Sequence, residues 1–317
     1  MGTSGEIDQG FLVIGCGFIG SNVVEALVEA GETPVVLSRS RPPAEIVAAF
    51  GEPNLRLGDA ADREVLEGVL EGVSRVIFCA GGLLPAASER DPERDRRLTL
   101  EPVATTLAAL ADRPDVSLTY LSSGGTVYGE PARNPVREDD PTEPFSTYGS
   151  LHLECERMIE RATREAGLRA RVLRCSTVYG EHQRPNRGQG AVVTFLHRIE
   201  RGEPIDLYGG GSTIRDYVYV RDVARAVVAT AALEDGPSVV NVGSGQGTSL
   251  LELLRLAEAQ VGQRAKVIEH PERDFEIHQI ILDTSRLRAL VDFEPTPLED
   301  GIARTHRWLG TVAAETA

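Results

Sequence analysis

The sequence predicts an α/β fold built on a parallel, doubly wound sheet. Short apolar runs that fit buried strands alternate along the chain with segments of helical periodicity. A glycine turn, Gly15-Cys16-Gly17-Phe18-Ile19-Gly20, joins the first of these strands to the first helix. A strand, a glycine turn, a helix and a second strand within about 30 residues are typical of a Rossmann-type unit that binds a dinucleotide.

The glycine turn lies between a strand at 11–14 and a helix at 21–30, and a second strand follows at 35–37. Glycines here allow a tight turn, the close approach of a pyrophosphate to the helix N-terminus, and the packing of the helix on the sheet. We therefore expect a nicotinamide dinucleotide at this turn. Its predicted contacts there are Gly15, Gly17, Phe18, Ile19 and Gly20.

The residues after the second strand bear on the choice of cofactor. An acidic side chain there would bind the ribose 2′-hydroxyl of NAD, whereas this chain has Ser38-Arg39-Ser40-Arg41. Hydroxyl and guanidinium groups suit a 2′-phosphate, which favours NADP. Arginines in a loop are often merely solvated, and this chain uses arginine for every positive side chain except Lys266. We therefore keep both NAD and NADP.

Further strands are predicted at 55–59 and 76–82, and both end at the edge of the sheet where ligands bind. Asp59 could hydrogen-bond an adenine amino group. The second of these strands runs into a glycine turn, in which Gly82 lies on the substrate side. The further cofactor contacts predicted here are Asp59, Ala60, Cys79, Ala80 and Gly81.

The charged segment 83–97 predicts a loop or a broken helix, followed by a helix at 102–111 and a strand at 118–121. That strand leads to hydroxyl side chains, including Ser123 and Thr126, at the edge where the nicotinamide would lie. A helix then begins near Tyr148, with His152 four residues later on the same face. The pair could be an acid and a base, although residues at this spacing more often serve in packing or lie at the surface.

Composition narrows the classes of function. The 317 residues carry a net charge of −15, with no basic stripe, which disfavours nucleic acid as a partner. No apolar run reaches about 18 residues, so we expect a cytoplasmic protein without a membrane partner. The four cysteines are far apart and the histidines lack ligand spacing, so we expect neither disulfides nor a metal site.

Several motifs in a fixed order carry a resemblance to a known family. They are the glycine turn, the Asp59 strand, the run 122–129, Tyr148, and the runs 174–180, 208–220 and 241–245. From about residue 11 to about residue 308, the chain resembles the extended short-chain dehydrogenase/reductase family, specifically its nucleotide-sugar epimerases, dehydratases and reductases, such as the UDP-glucose 4-epimerases.

The resemblance implies an NAD(P)-dependent enzyme that acts on a nucleotide sugar. Tyr148 would be the acid/base that moves the proton of a sugar hydroxyl, usually at C4, while hydride passes to or from the nicotinamide. The family's catalytic Ser/Thr position falls on Gly124, which leaves Ser123 or Thr126 to hydrogen-bond the reacting oxygen. The implied substrate contacts are Gly82, Thr126, Thr177, Tyr208, Arg215 and Arg273.

His152 is the main departure from the family pattern, because the family has a lysine at this position. An unperturbed imidazole, with a pKa of about 6.5, is mostly uncharged at neutral pH. His152 could still donate to a nicotinamide ribose hydroxyl and relay a proton. We expect Tyr148 to be catalytic with His152 as a differently tuned partner. The alternative is a site that binds its ligands without turnover.

Three functions remain open at this stage. The acidic residues of the family's dehydratases are missing from 124–126, so hydride chemistry without elimination is predicted. The family favours an epimerase that transiently oxidises C4, whereas the residues after the second strand favour an NADPH-dependent 4-ketoreductase. A cofactor-binding homologue that has lost catalysis is the third possibility.

The resemblance also implies how the chain is divided and assembled. Residues 1–180 would form the dinucleotide-binding domain, to which 214–234 return, and 181–317 would form mainly a smaller C-terminal substrate-binding lobe. Members of the family often pair through a four-helix bundle that includes the helix after the tyrosine. A homodimer is therefore expected by analogy.

Overall fold

The computed structural model describes residues 10–185, 190–272 and 277–315. Its strands are β1 (Gly10–Ile14), β2 (Val35–Ser38), β3 (Leu55–Leu57), β4 (Val73–Phe78), β5 (Ser117–Ser123), β6 (Arg169–Cys175), β7 (Thr177–Tyr179), β8 (Pro204–Tyr208), β9 (Ile214–Tyr219), β10 (Val239–Val242), β11 (Gly247–Ser249), β12 (Lys266–His270) and β13 (Gln279–Ile280). Its α-helices are α1 (Phe18–Glu29), α2 (Ala44–Phe50), α3 (Arg63–Glu67), α4 (Pro85–Arg90), α5 (Pro92–Leu110), α6 (Thr147–Ala166), α7 (Ala191–Arg201), α8 (Val220–Ala231), α9 (Leu250–Val261), α10 (Ser285–Leu290) and α11 (Leu298–Glu315).

The central sheet confirms the predicted fold class. Seven strands lie in the order β3, β2, β1, β4, β5, β6, β10, and every neighbouring pair is parallel. The strand order reverses its direction between β1 and β4, so ligands are expected at the carboxyl ends of these two strands. Strands β3 and β4 end at Leu57 and Phe78, earlier than predicted, which puts the predicted cofactor contacts after them in loops.

Alternation along the strands provides a buried core on both faces of the sheet. Phe11 and Val13 pack into one apolar cluster with residues of α1, α2 and α8, whereas Leu12 and Ile14 pack into another with residues of α5 and α6. A parallel sheet is stable only when both faces are covered in this way. The helices that carry the predicted catalytic residues are therefore held on the core.

The segment 83–97 was predicted as a loop or a broken helix, and the structure shows a broken helix. Helix α4 ends at Arg90, Asp91 leaves the helical conformation with φ −142° and ψ 70°, and α5 begins at Pro92. Asp91 also caps α5, because its carboxylate accepts a hydrogen bond from the Arg94 backbone N–H at 3.2 Å. The helix predicted at 102–111 is therefore the second half of α5.

The C-terminal part of the chain forms smaller sheets beside the central one. Strands β7, β9, β11 and β13 form a four-stranded sheet, and β8 pairs with β12. Within the segment 214–234, helix α8 packs on α1 of the large domain, whereas β9 belongs to the small sheet. The return to the large domain also extends beyond residue 234, because β10 is the seventh strand of the central sheet.

A buried ion pair joins α6 to β6 and yields a prediction about stability. Arg174 Nη2 lies 2.7 Å from Glu156 Oε2, and both side chains are less than a tenth exposed. Removing one partner leaves the other charge buried without compensation, so Glu156→Ala is expected to lower the free energy of unfolding by about 3–5 kcal/mol. Urea denaturation measures this loss.

Glu165→Ala is the matched control, because Glu165 lies on the same helix and pairs with Arg164 at the surface. Exposed pairs contribute little to stability, so this variant should unfold close to the wild-type urea concentration. Equal losses in the two variants would contradict the assigned role of the buried pair.

Candidate active site

The first turn of α6 places Tyr148 beside the turn that follows β5. Ser146 is the N-cap, and its Oγ accepts a hydrogen bond from the Gly149 backbone N–H at 3.1 Å. The backbone oxygen of Thr126 lies only 2.9 Å from the position that a Cβ on Gly149 would occupy. A larger residue at 149 would push the helix away from this turn, so the glycine keeps Tyr148 close to the carboxyl end of β5.

Tyr148 and His152 lie together, and a second tyrosine lies next to the histidine. The ring centroids of Tyr148 and His152 are 4.5 Å apart, with an angle of 58° between the ring planes. Nδ1 of His152 is 3.1 Å from the hydroxyl of Tyr120 on β5. Tyr120 is 2% exposed and was missed by the sequence analysis. The available signal was a phenol on a buried parallel strand, where a polar atom needs a partner.

Burial keeps both members of the pair uncharged at neutral pH. It raises the pKa of Tyr148 to about 12, and the nearby Asp95 and Cys175 act in the same direction. It lowers the pKa of His152 to about 4, while Asp95 opposes this shift. The imidazole can therefore act as a neutral hydrogen-bond donor but is not a resident cation.

Asp95 is a second polar residue that the sequence analysis missed. Its Oδ1 accepts hydrogen bonds from the Leu83 backbone N–H at 2.6 Å and from the Thr99 hydroxyl at 3.0 Å. The side chain is 1% exposed, and Oδ2 has no partner within the described residues. Gly82 packs against this carboxylate, because a Cβ at 82 would lie 2.1 Å from Asp95 Oδ1. Asp95 thus fixes the loop after β4 and places a carboxylate near Tyr148.

Position 124, where the family has a catalytic hydroxyl, has no room for a side chain. A Cβ on Gly124 would lie 2.8 Å from the backbone oxygen of Arg174 and 2.7 Å from Leu282 Cδ1. Ser123 is the last residue of β5, and the Thr126 hydroxyl donates to the Ser123 backbone oxygen at 3.3 Å. Both predicted hydroxyl side chains therefore belong to the turn that contacts the first turn of α6.

The glycine turn has the geometry that a dinucleotide requires. Gly15 has a φ of +92°, and a Cβ there would lie 2.6 Å from the backbone of Ala80. A Cβ on Gly20 would lie 1.9 Å from the Gly15 carbonyl oxygen, so this glycine lets α1 approach the sheet. Gly17, the N-cap of α1, is exposed and has open space beside it. A pyrophosphate can therefore reach the N-terminus of the helix.

The other predicted cofactor contacts surround the same edge of the sheet. Phe18 and Ile19 open α1 and are partly buried. Asp59 is partly buried, and its Oδ1 accepts a hydrogen bond from the Ala61 backbone N–H at 3.0 Å. Cys79 extends the pairing of β4, because its backbone N–H donates to the Ile14 carbonyl at 2.8 Å. One Asp59 oxygen is thus engaged in its own loop.

Residues 38–41, at the end of β2, differ in the hydrogen-bonding groups that they leave free for a ribose. The Ser38 hydroxyl donates to the Ser40 carbonyl at 2.8 Å. The guanidinium of Arg41 forms a double hydrogen bond with Glu52, at 2.8 and 2.5 Å. Arg39 Nη2 instead reaches across to the Gly81 carbonyl at 3.4 Å. Arg41 is thus paired with Glu52 at the surface, and its contribution to a 2′-phosphate site stays a prediction.

Of the predicted substrate contacts, Thr177 lies near the site. Its Oγ1 is 4.0 Å from the position of a Cβ on Gly125, so it faces the turn after β5. Arg273 lies outside the described residues. Its predicted role stays a prediction.

Tyr208 and Arg215 belong to the C-terminal lobe. The ring of Tyr208 stacks on that of His270, with centroids 4.7 Å apart and an angle of 18° between the planes. Arg215 Nη1 donates to the Ile214 carbonyl at 2.9 Å. The assignment of both side chains as substrate ligands stays a prediction.

The described part of the chain has neither a membrane-spanning helix nor a cluster of metal ligands. None of its helices is both long and apolar enough to cross a membrane. No group of three or more histidine, cysteine, aspartate or glutamate side chains within it could hold a metal ion.

The fold and the glycine turn define a Rossmann-type enzyme that uses a nicotinamide cofactor. The chain belongs to the NAD dependent epimerase/dehydratase family, whose family model matches residues 11–243. The predicted family, the predicted enzyme class and the predicted NAD-type cofactor are thereby confirmed.

Known proteins similar to this chain include both epimerases and a reductase. The UDP-glucose 4-epimerase of Thermotoga maritima, solved with UDP-glucose, is 31% identical, with a TM-score of 0.88 over 96% of this chain and 99% of that one. The Thermus thermophilus UDP-glucose 4-epimerase, solved with NAD, is 29% identical, with a TM-score of 0.86 over 95% and 99%. The dTDP-4-dehydro-6-deoxyglucose reductase of Escherichia coli is 29% identical over 91% of this chain and 93% of its own length.

Proposed function

We propose that the chain is a nucleotide-sugar epimerase that works by transient oxidation at C4 of the sugar, with Tyr148 as the acid/base. The observation that carries this proposal is the placement of the Tyr148 phenol. It lies beside the His152 ring and next to the turn after β5, at the sheet edge that also bears the glycine turn. Epimerases similar to this chain, solved with UDP-glucose or with NAD, support it further.

The residues present fit a nicotinamide cofactor. The open space at Gly17 leaves the N-terminus of α1 accessible to a pyrophosphate, and Gly15 and Gly20 allow the close packing behind it. When bound, the cofactor would accept a hydride from the sugar and return it. His152 would hold a ribose hydroxyl through a neutral N–H donor, and Asp59 would lie on the adenine side.

The chain's own residues would handle the proton. The phenolate of Tyr148 would take the proton from the C4 hydroxyl oxygen during oxidation and return it to that oxygen during reduction. Ser123 or Thr126 would hydrogen-bond the same oxygen and fix its position. Rotation of the 4-keto sugar between the two half-reactions would present its other face. Arg215 and Arg273 would hold the diphosphate through this rotation.

The runner-up is an NADPH-dependent 4-ketoreductase, and the position of Arg39 favours it. Its guanidinium reaches Gly81 at the cofactor edge and is available for a 2′-phosphate, unlike that of Arg41. The two functions differ in their cofactor demand. Purified enzyme that interconverts UDP-glucose and UDP-galactose without added cofactor would support the epimerase, whereas stoichiometric oxidation of NADPH with a 4-keto sugar would refute it.

A cofactor-binding homologue without catalysis is the alternative from another class. Four departures from the family's usual residues motivate it, at His152, Gly124, Thr99 and Thr177. Binding of NADH without conversion of any nucleotide sugar in a broad panel would establish this alternative. We propose the epimerase because the first turn of α6 holds Tyr148 beside the His152 ring and next to the turn after β5.

Gly17→Ala is expected to weaken cofactor binding and to leave the stability of the protein unchanged. A Cβ at 17 meets no atom within 4 Å, and the φ of −90° suits alanine, so the melting temperature should change little. The added methyl group would lie where the pyrophosphate must approach, so the Kd for NADH should rise by about tenfold or more. Fluorescence titration measures this change.

Gly31→Ala is the matched control for that variant. Its Cβ also meets no atom within 4 Å, but the position follows the far end of α1 and has a φ of +86°. The strained backbone should lower stability and leave the Kd for NADH unchanged. Unchanged binding in Gly17→Ala would contradict the proposed cofactor site.

A homodimer is proposed through the outer faces of α5 and α6. These faces carry charges, among them the exposed Arg96 and Glu154 pair that links the two helices at 2.7 Å. Each copy carries a net charge of −15, so two copies repel each other, and salt screens this repulsion. Sedimentation at low and high ionic strength should therefore show a dimer that does not weaken as salt is added.

A further inference from the structure

Tyr120 on β5 lies beside His152. The Tyr120 hydroxyl is 3.1 Å from Nδ1 of His152, and the two ring centroids are 6.3 Å apart. Both side chains are buried, at 2% and 7% exposure. No residue in the described part of the chain makes a hydrogen bond to the other ring nitrogen, Nε2. The two nitrogens of His152 therefore have different surroundings.

The chemistry of the two groups sets the direction of this hydrogen bond. Burial raises the pKa of Tyr120 well above its usual range and lowers that of His152, so both groups are neutral. A neutral phenol is a good donor and a poor acceptor, whereas an unprotonated imidazole nitrogen is a good acceptor. In the reverse arrangement, the Tyr120 hydroxyl would have to donate to the Cys155 thiol, which is a weak acceptor.

We infer that Tyr120 is a positioning residue that donates its hydroxyl proton to His152 Nδ1 and so holds the proton of the imidazole on Nε2. This inference rests on the proposed function for its catalytic consequence. The only ring N–H of His152 is then on Nε2, which has no hydrogen-bond partner in the described part of the chain and is available to an oxygen of the ligand. A lysine at 152 would not need this help, because an ammonium group has three donors and no acceptor.

The tautomer can be measured without any turnover. Long-range ¹H–¹⁵N spectra of protein labelled with ¹⁵N-histidine distinguish a protonated from an unprotonated ring nitrogen, and His152→Gln assigns the signal. We expect the Nε2–H form in the wild type and a mixture of both tautomers in Tyr120→Phe, which keeps the ring and removes the hydroxyl. Cys155→Ala is the control, and its spectrum should match the wild type.

A double-mutant cycle tests the link to catalysis. Tyr120→Phe should lower kcat by about tenfold with histidine at 152, and by less than about twofold in the His152→Lys background. An equal loss in both backgrounds would overturn the inference, because Tyr120 would then act through packing alone. An Nδ1–H tautomer in the wild type, or an unchanged tautomer in Tyr120→Phe, would also overturn it.

Failure of the proposed function would look different from failure of this inference. If the wild type shows the Nε2–H tautomer and Tyr120→Phe loses it, the positioning role of Tyr120 stands. The absence of any turnover in the same preparation would then refute the epimerase alone.

Discussion

Tyr148→Phe is expected to lower kcat about a thousandfold and to leave NADH binding unchanged. General acid/base groups typically contribute about 10²- to 10⁴-fold to the rate, and phenylalanine removes the only proton-transferring atom of this side chain. The ring would remain beside His152, so the packing of the first turn of α6 should persist. Steady-state kinetics with UDP-glucose and fluorescence titration with NADH measure the two quantities.

The matched control is Tyr179→Phe. That residue also loses a mostly buried hydroxyl, but its oxygen donates to the Leu298 carbonyl at 3.4 Å inside the C-terminal lobe. It should retain nearly the full kcat. Full activity in Tyr148→Phe would refute the assignment of Tyr148 as the acid/base. A comparable loss of kcat in both variants would indicate a general effect on folding.

Local patterns explain why the sequence predicts the sheet and the glycine turn. The turn from 15 to 20 is contiguous, and two of its glycines are required by close contacts: Gly20 by the Gly15 carbonyl within the turn, and Gly15 by Ala80 after the paired strand β4. The nearly continuous burial of β1 likewise follows from five consecutive residues. Tyr148 could be placed because α6 begins directly before it, at the N-cap Ser146.

The surroundings of the pair could not be predicted in the same way. Asp95 and Tyr120 lie 53 and 28 positions before Tyr148, and only the packing of α5, β5 and α6 brings them to it. Burial has the same non-local origin, and it decides the charge of His152. The engagement of Arg41 by Glu52 depends on the loop after α2, so a charge pattern alone could not show it.

His152→Lys is expected to shift the pH dependence of kcat/KM toward neutral pH by about two units. In the wild type, the pKa of Tyr148 is raised to about 12, so the phenolate becomes more abundant as the pH rises from 7 to 10. The rate should rise with it. The pKa of His152 is lowered to about 4, so the imidazole stays neutral over this range and adds no inflection near pH 6.5.

The other titratable groups around the pair do not change this expectation. Burial raises the pKa values of Cys155 and Cys175 to about 12 and that of Tyr120 well above its usual range, so none of them ionises between pH 7 and 10. Glu156 is paired with Arg174. Asp95 lies near both members of the pair, and it would stabilise an ammonium group at 152.

A lysine at 152 would put a cation next to the phenol, and an adjacent opposite charge lowers the pKa of an acid by about 1–3 units. More phenolate would then be present at neutral pH, and kcat/KM at pH 7 should rise. His152→Gln is the matched control, because it keeps a neutral N–H donor without charge and should retain the alkaline profile. A wild-type inflection near pH 6.5, or identical profiles for the lysine and glutamine variants, would show that the charge at 152 does not tune Tyr148.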